Sequence, residues 1–96
     1  MKPLTPDEAH ELLKVVRAET EYTLNQISGL ERMLTEGQGN KLALELSIEQ
    51  SLDLWIKKML DLGVEPIKNW RVRFKVGDGY LIWTHPNETF NPGQSG

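Results

Sequence analysis

The sequence of 96 residues contains no cysteine and only two histidines. Without cysteine the chain can form no disulfide bond, no thiolate nucleophile and no cysteine-ligated zinc site. The two histidines, His10 and His85, do not form the H-x-x-x-H or H-E-x-x-H spacing that places two imidazoles on one metal. We therefore expect neither a metal nor a cofactor.

The sequence also lacks a long apolar run and an excess of positive charge. No stretch approaches the ~18 consecutive apolar residues of a membrane-spanning helix, and the first residues lack the apolar segment of a signal peptide. We therefore expect a cytoplasmic protein without a membrane partner. Eleven basic and 14 acidic residues give a net charge of −3, which provides no overall attraction for nucleic acid. A hydrophobic fraction of 39% is typical of one globular domain.

A long first helix is predicted from residue 5 to about residue 36. Thr5 and Glu8 have the spacing of a capping box, and Pro6 between them suits the first helical position. Apolar or small residues then recur at alternating intervals of four and three, typical of a helix that buries one face. These positions are Ala9, Leu13, Val16, Thr20, Thr23, Ile27, Leu30 and Leu34. Glycines and polar residues at 37–40 predict a loop.

A second helix is predicted from residue 41 to residue 62, and it carries two apolar stripes. The main stripe consists of Leu44, Ile48, Leu52, Trp55, Met59 and Leu62. The second stripe consists of Leu42, Leu46, Ile56 and Leu60. Gly63 is predicted to end the helix in the left-handed conformation of a Schellman motif, with Val64 packing back on Met59. Pro66 prevents the helix from resuming.

A two-stranded β-hairpin is predicted over residues 71–85. Apolar and basic side chains alternate along its first strand with the period of a half-buried strand: Val72, Phe74 and Val76 with Arg71, Arg73 and Lys75. Asp78-Gly79 is a favoured two-residue type I′ turn, which would place Phe74 opposite Trp83. A three-residue loop would instead pair Phe74 with Ile82. Residues 91–96 predict a flexible tail.

The predicted elements give an α+β fold, a long antiparallel helical hairpin followed by a two-stranded antiparallel β-hairpin. A first helix of ~30 residues would be ~45 Å long, whereas a compact domain of this size is roughly 30–35 Å across. One antiparallel neighbour cannot cover both stripes of the second helix. We therefore expect a homodimer that forms a four-helix bundle, with its seam at Ile48, Leu52, Trp55, Ile56 and Met59. The alternative is an elongated monomer whose hairpin covers the second stripe.

Three short patterns in the chain resemble the domain of unknown function 2203 family, a group of small bacterial proteins. The helix start is similar to the opening helix of that family at Thr5, Glu8, Ala9, Leu12, Leu13, Val16 and Arg17. The junction to the sheet is similar at residues 62–65 and at Lys68. The turn, strand and exit are similar at residues 77–80, Trp83, Pro86 and Glu88. The family has no established activity, so the resemblance implies an architecture and no function.

Candidate chemistry is sparse. His85 and Glu88 lie near Trp83 and could act as acid and base, although His85 is expected to cap the edge of the core. Glu45, Glu49 and Asp53 are spaced four apart on the second helix, but the Glu-x-x-His element of a di-iron bundle site is absent.

The outer face of the hairpin is the other candidate site, because basic side chains interleaved with an aromatic ring can grip single-stranded nucleic acid. Alternating Arg and Lys also protect a strand from aggregation. The possible ligand-binding residues are Arg71, Arg73 and Tyr80 on this outer face, together with Trp83 and His85, which the alternation places on the inner face.

The function that the sequence favours is a non-enzymatic, self-associating module for protein–protein interaction, with an unidentified protein partner. One alternative is a nucleic-acid-binding module that uses Arg71, Arg73 and Tyr80. A second alternative is an enzyme or metal protein centred on His85 and Glu88.

Overall fold

The computed structural model describes residues 3–91, and it contains two helices followed by a three-stranded antiparallel sheet. In chain order the elements are α1 (Pro6–Thr35), α2 (Lys41–Leu62), β1 (Glu65–Ile67), β2 (Arg71–Val76) and β3 (Gly79–Thr84). The predicted α+β class is confirmed, and both predicted helices begin and end within one residue of the observed bounds. In the described part of the chain, no helix combines the length and apolar character needed to cross a membrane.

The helix ends form where the local sequence predicts them. The Thr5 hydroxyl accepts a hydrogen bond from the Glu8 backbone N–H at 3.1 Å, and the Glu8 carboxylate accepts one from the Thr5 N–H at 2.9 Å. This is a complete capping box. At the end of the second helix, Gly63 adopts a φ of 87° and ends α2. The Val64 N–H then donates to the Met59 carbonyl at 3.1 Å, which completes the predicted Schellman motif.

The sheet packs on only one end of the helical hairpin. Its inner face joins the first turns of α1 and the last turns of α2 in one buried cluster: Ala9, Leu13, Val16, Trp55, Met59, Val64, Val72, Phe74, Trp83 and Phe90. Ile27 and Leu44 are buried outside that cluster, between the helices alone. The described chain measures 48 × 24 × 19 Å. Residues 26–51, here called the distal arm, therefore extend beyond the sheet as two helices without a third layer.

The sheet contains a strand that the sequence analysis missed. β1 pairs antiparallel with β2 and places Glu65 opposite Arg73 and Pro66 opposite Val72. Three residues are too few to show a period of two, and the proline argues against a strand. Because β1 lies at the edge of the sheet, Pro66 needs no ladder hydrogen bond on its open side. The predicted two-stranded hairpin was therefore incomplete.

The predicted register of the hairpin was wrong by two residues. Phe74 pairs with Leu81, and Val72 pairs with Trp83. The turn is Gly77-Asp78, and Gly77 supplies a φ of 56° at the first central position, where type II′ turns favour glycine. A shift of two residues leaves every side chain on its predicted face. Val72, Phe74 and Trp83 are accordingly all buried on the inner face, as predicted.

The segment after β3 folds back onto the sheet. The Asn91 backbone N–H donates to the Ile82 carbonyl at 2.7 Å, and the Trp83 indole donates to the Asn87 carbonyl at 2.7 Å. Phe90 contacts Phe74 edge-on with ring centroids 4.9 Å apart. Asn91, the first residue of the predicted tail, is thus bound to β3. The rest of that predicted tail, residues 92–96, lies outside the described residues.

Candidate functional site

The second apolar stripe of α2 lies on the surface. Leu42, Leu46 and Leu60 are 77%, 54% and 56% exposed, and Ile56 is half-buried. These positions recur at heptad intervals along one side of the helix, so they form a stripe rather than scattered apolar residues. Leu52, also exposed, lies between this stripe and the core. We call Leu42, Leu46, Leu52, Ile56 and Leu60 the α2 stripe.

The predicted dimer seam is divided between the core and the surface. Trp55 and Met59 are buried within a single chain, where α1 and the sheet cover them. They are therefore unavailable to a second copy of this fold. Ile48 and Ile56 are half-buried and Leu52 is exposed. Trp55 and Met59 are more buried than the other seam residues because β1 and the turn after it cover the last turns of the main stripe.

Two carboxylates interrupt the α2 stripe at its centre. Glu49 and Asp53 occupy the heptad positions between Leu46 and Ile56 and are exposed. Within residues 3–91 neither of them forms an ion pair. The stripe thus has an apolar segment at each end and an acidic segment in the middle.

The outer face of the sheet carries the predicted basic and aromatic residues. Arg73 stacks over the Tyr80 ring at 4.3 Å, and the Lys75 ammonium lies 4.9 Å from the same ring. Arg73 also forms an ion pair with Glu65 on β1 at 2.6 Å. The Arg71 Nε donates to the Lys68 carbonyl at 3.2 Å. Among the groups that would grip a nucleic acid, Arg73 and Lys75 are therefore engaged with Tyr80, and Arg71 is engaged with the backbone.

The hydrogen bond from Arg73 to Glu65 raises the pKa of the Arg73 guanidinium above its ordinary value, against a smaller opposing effect of burial. Arginine is charged throughout the physiological range without such help. A raised pKa of a cation contributes stability that is lost only as the pH rises above the ordinary value of that group. The Arg73 guanidinium therefore introduces no titration near neutral pH.

The predicted ligand residues Trp83 and His85 lie away from the basic face, as the alternation of the strands predicts. Trp83 is buried on the opposite side of the sheet, and His85 lies edge-on to it with centroids 6.1 Å apart. His85 lines a cavity of about 260 Å³ with Arg17 and Glu21 of α1. Glu88 is exposed and is not among the residues that line this cavity. The predicted His85–Glu88 pair is thus replaced by neighbours from α1 that sequence spacing could not reveal.

The residues that could have ligated a metal are dispersed. Within residues 3–91 no group of three or more His, Cys, Asp or Glu side chains is placed to hold an ion. The His10 Nδ1 lies 2.8 Å from the Pro6 carbonyl, and its ring contacts Phe90 with centroids 5.4 Å apart. His10 therefore fastens the segment after β3 to the start of α1.

A cavity beside Trp70 is the feature that the sequence analysis missed. Its volume is about 520 Å³, and its walls come from one side of α2, from β1 and from the turn between β1 and β2. The lining residues are Leu52, Trp55, Ile56, Pro66, Ile67, Lys68, Asn69 and Trp70. We call it the Trp70 cavity. The one local feature of the sequence that indicates this turn is Asn69, because asparagine tolerates the left-handed conformation.

The turn at the rim of this cavity has a strained backbone. Asn69 and Trp70 have φ values of 65° and 60°. Asparagine adopts this region at modest cost, but for a bulky residue it is an outlier worth on the order of 1–3 kcal/mol. The Trp70 carbonyl accepts a hydrogen bond from the His85 N–H at 3.1 Å, and its ring packs against Trp55 with centroids 4.8 Å apart. These contacts hold the turn in its unfavourable conformation.

No protein-family model, curated protein or solved structure gives a significant match to this chain. The resemblance to the 2203 family stays a prediction.

Proposed function

We propose that this protein is a self-associating interaction module in which the α2 stripe of one copy packs against the α2 stripe of a second copy. The observation that carries the proposal is the exposure of Leu42, Leu46 and Leu60 along one side of a regular helix. Exposed apolar patches on a soluble protein mark interaction sites, and the α2 stripe presents one apolar segment on each side of Glu49 and Asp53.

The shape of the chain supports the same proposal. The distal arm consists of two helices without a third layer, and a helix pair has no closed core of its own. Four helices in a bundle bury the faces that two helices leave open. A second copy is the simplest partner, because a two-fold axis allows the same surface of both copies to pack together.

The spacing of the α2 stripe fits an antiparallel pair of α2 helices. If two copies meet around a two-fold axis that crosses the stripe at the height of residue 51, Leu42 lies opposite Leu60 of the second copy, and Leu46 lies opposite its Ile56. Leu42 and Leu60 are 18 residue steps apart, so the stripe is about 27 Å long. In the same arrangement Glu49 lies opposite Asp53, so the centre of the interface brings like charges together.

The test is the oligomeric state of matched leucine variants, measured by native mass spectrometry and by light scattering. Leu46→Glu places a charge in the α2 stripe and should give a folded monomer with unchanged helix content. Leu54→Glu is the control, because Leu54 is 68% exposed on the same helix but lies outside the stripe. We expect Leu54→Glu and the wild type to remain dimeric.

Two results would contradict the proposal. A wild-type protein that stays monomeric at about 100 μM, a hundredfold above a micromolar dissociation constant, would exclude a stable dimer. Equal loss of dimer in both variants would show that the surface around Leu54 takes part, and that the α2 stripe is not the interface.

A further inference from the structure

The Trp70 cavity has the size and the lining of a small-molecule site. Cavities that hold small ligands measure roughly 300–1,000 Å³ and are mostly apolar with a few polar groups, and this one measures about 520 Å³. We propose that the Trp70 cavity binds a small planar aromatic molecule that carries a negative charge, such as an aromatic carboxylate. The cavity shares Leu52 and Ile56 with the α2 stripe, but its ligand can be tested apart from self-association, because Leu46→Glu disrupts the proposed dimer and leaves the lining residues unchanged.

The walls of the cavity favour a flat aromatic ligand. Trp55 and Trp70 meet with ring centroids 4.8 Å apart and an interplanar angle of 61°, so two indole surfaces border one space. Leu52 and Ile56 of α2 and Ile67 of β1 supply the remaining apolar surface. Aromatic rings pack favourably against other rings in offset and edge-on arrangements. A planar ligand can contact both indoles and the aliphatic wall at once.

The positive charge at the rim of the cavity favours a negatively charged ligand. Lys68 is the one ionisable residue among the eight that line the cavity. Within residues 3–91 it has no ion-pair partner. Glu65, the carboxylate closest to it in sequence, is bound to Arg73 at 2.6 Å. An unpaired ammonium beside an apolar space complements a ligand with an apolar ring and an anionic group.

The rim is fixed before any ligand binds. The Lys68 carbonyl accepts a hydrogen bond from the Arg71 Nε at 3.2 Å, and the Trp70 carbonyl accepts one from the His85 N–H at 3.1 Å. These bonds hold two consecutive residues, Asn69 and Trp70, at positive φ. Strained backbone of this kind clusters at ligand sites, and a preorganised site loses less conformational entropy on binding.

The three tryptophan indole N–H groups provide the readout, because each gives its own signal in a proton–nitrogen NMR spectrum. We would titrate the full chain with 2-naphthoate and, in parallel, with the neutral 2-naphthylmethanol. The signals of Trp55 and Trp70 should shift saturably with 2-naphthoate. The Trp83 signal should stay in place, because its indole donates to the Asn87 carbonyl away from the cavity.

Matched lysine variants test the charge. Lys68→Met removes the ammonium and keeps the aliphatic stem, so it should weaken 2-naphthoate binding by about fivefold, the effect of one exposed charge pair. It should leave the weaker binding of 2-naphthylmethanol unchanged. Lys75→Met removes the same charge from the outer face of the sheet, outside the cavity, and should bind 2-naphthoate like the wild type.

Each of four results would overturn the proposal. The first is no shift of Trp55 and Trp70 at about 1 mM 2-naphthoate, the weakest affinity of interest. The second is an equal shift of Trp83, which would indicate nonspecific binding. The third is equal affinity for the carboxylate and the alcohol. The fourth is a shift of Trp55 and Trp70 with protein concentration in the Leu46→Glu variant, where the proposed dimer is lost, because it would show that a second copy fills the cavity through another contact.

Discussion

The indole N–H of Trp55 donates a hydrogen bond to the hydroxyl of Thr20 across the two helices at 2.9 Å. Both residues are buried, and they are 35 residues apart in the sequence. A threonine at this point of the apolar seam weakens the hydrophobic pattern of α1, but it is the partner that a buried indole requires. The bond fixes how the two helices align where the sheet gives way to the distal arm.

Thr20→Val should destabilise the fold because it leaves the Trp55 indole without an acceptor in a buried position. A buried donor that loses its partner costs about 1–3 kcal/mol. That loss is a large share of the roughly 5–15 kcal/mol that stabilises a typical domain. Urea denaturation followed by circular dichroism would measure the change in the free energy of unfolding.

Thr23→Val is the matched control for this experiment. Thr23 is buried on the same side of α1, and within residues 3–91 its hydroxyl makes no hydrogen bond. Its replacement should change the free energy of unfolding by less than about 0.5 kcal/mol. If both variants lost the same stability, the cost would come from valine in the helix and not from the hydrogen bond.

The parts of this fold that could be predicted from the sequence are those with local causes. Thr5 and Glu8 contact each other across three residues, and Gly63 ends α2 through its own backbone conformation. Such signals are complete within a few positions of the chain. Which side chains of β2 and β3 lie on the same face of the sheet could also be predicted, because a register error of two residues leaves the alternation of faces unchanged.

The features that could not be predicted depend on contacts between distant segments. β1 is a strand only because β2 lies beside it. Trp70 keeps a positive φ only because Trp55 and His85 hold it. The assignment of Trp55 to the core or to a dimer seam likewise depends on where the sheet packs. The Trp70 cavity depends on the pairing of β1, on the conformation of Trp70 and on the position of Trp55. It was therefore the feature hardest to predict from the sequence.

Asn69 offers a test of the strained turn. Asn69→Ala should lower the free energy of unfolding by about 1 kcal/mol, because alanine meets the steric penalty of the left-handed region. Asn69→Gly should leave it within about 0.5 kcal/mol, because glycine adopts positive φ without that penalty. Thermal and urea denaturation of the two variants would measure the difference. An alanine variant as stable as the glycine variant would show that residue 69 does not need positive φ.

The outer face of the sheet should bind single-stranded oligonucleotides poorly. Arg73 is paired with Glu65, and Tyr80 is covered by Arg73 and Lys75, so a base would have to displace existing contacts before it could stack. Fluorescence anisotropy of a labelled oligonucleotide at low salt, where such binding is strongest, should show no saturable change. Saturable binding that is lost in an Arg71→Ala, Arg73→Ala double variant would contradict this expectation.

The acidic centre of the α2 stripe should limit the affinity of the proposed dimer. Asp53→Asn removes from each copy a charge that would face Glu49 of the other, so it should tighten dimerisation by about three- to tenfold, the effect of relieving two symmetry-related like-charge contacts near a surface. Asp61→Asn is the matched control, because Asp61 is exposed on α2 outside the stripe and its replacement changes the net charge equally. Dissociation constants from analytical ultracentrifugation at low and high salt would measure both, and the gain in Asp53→Asn should shrink as salt screens the charges.

An equal gain in both variants would assign the effect to net charge alone. A weaker dimer in Asp53→Asn would mean that this carboxylate makes a favourable contact across the interface, and would count against the antiparallel pairing.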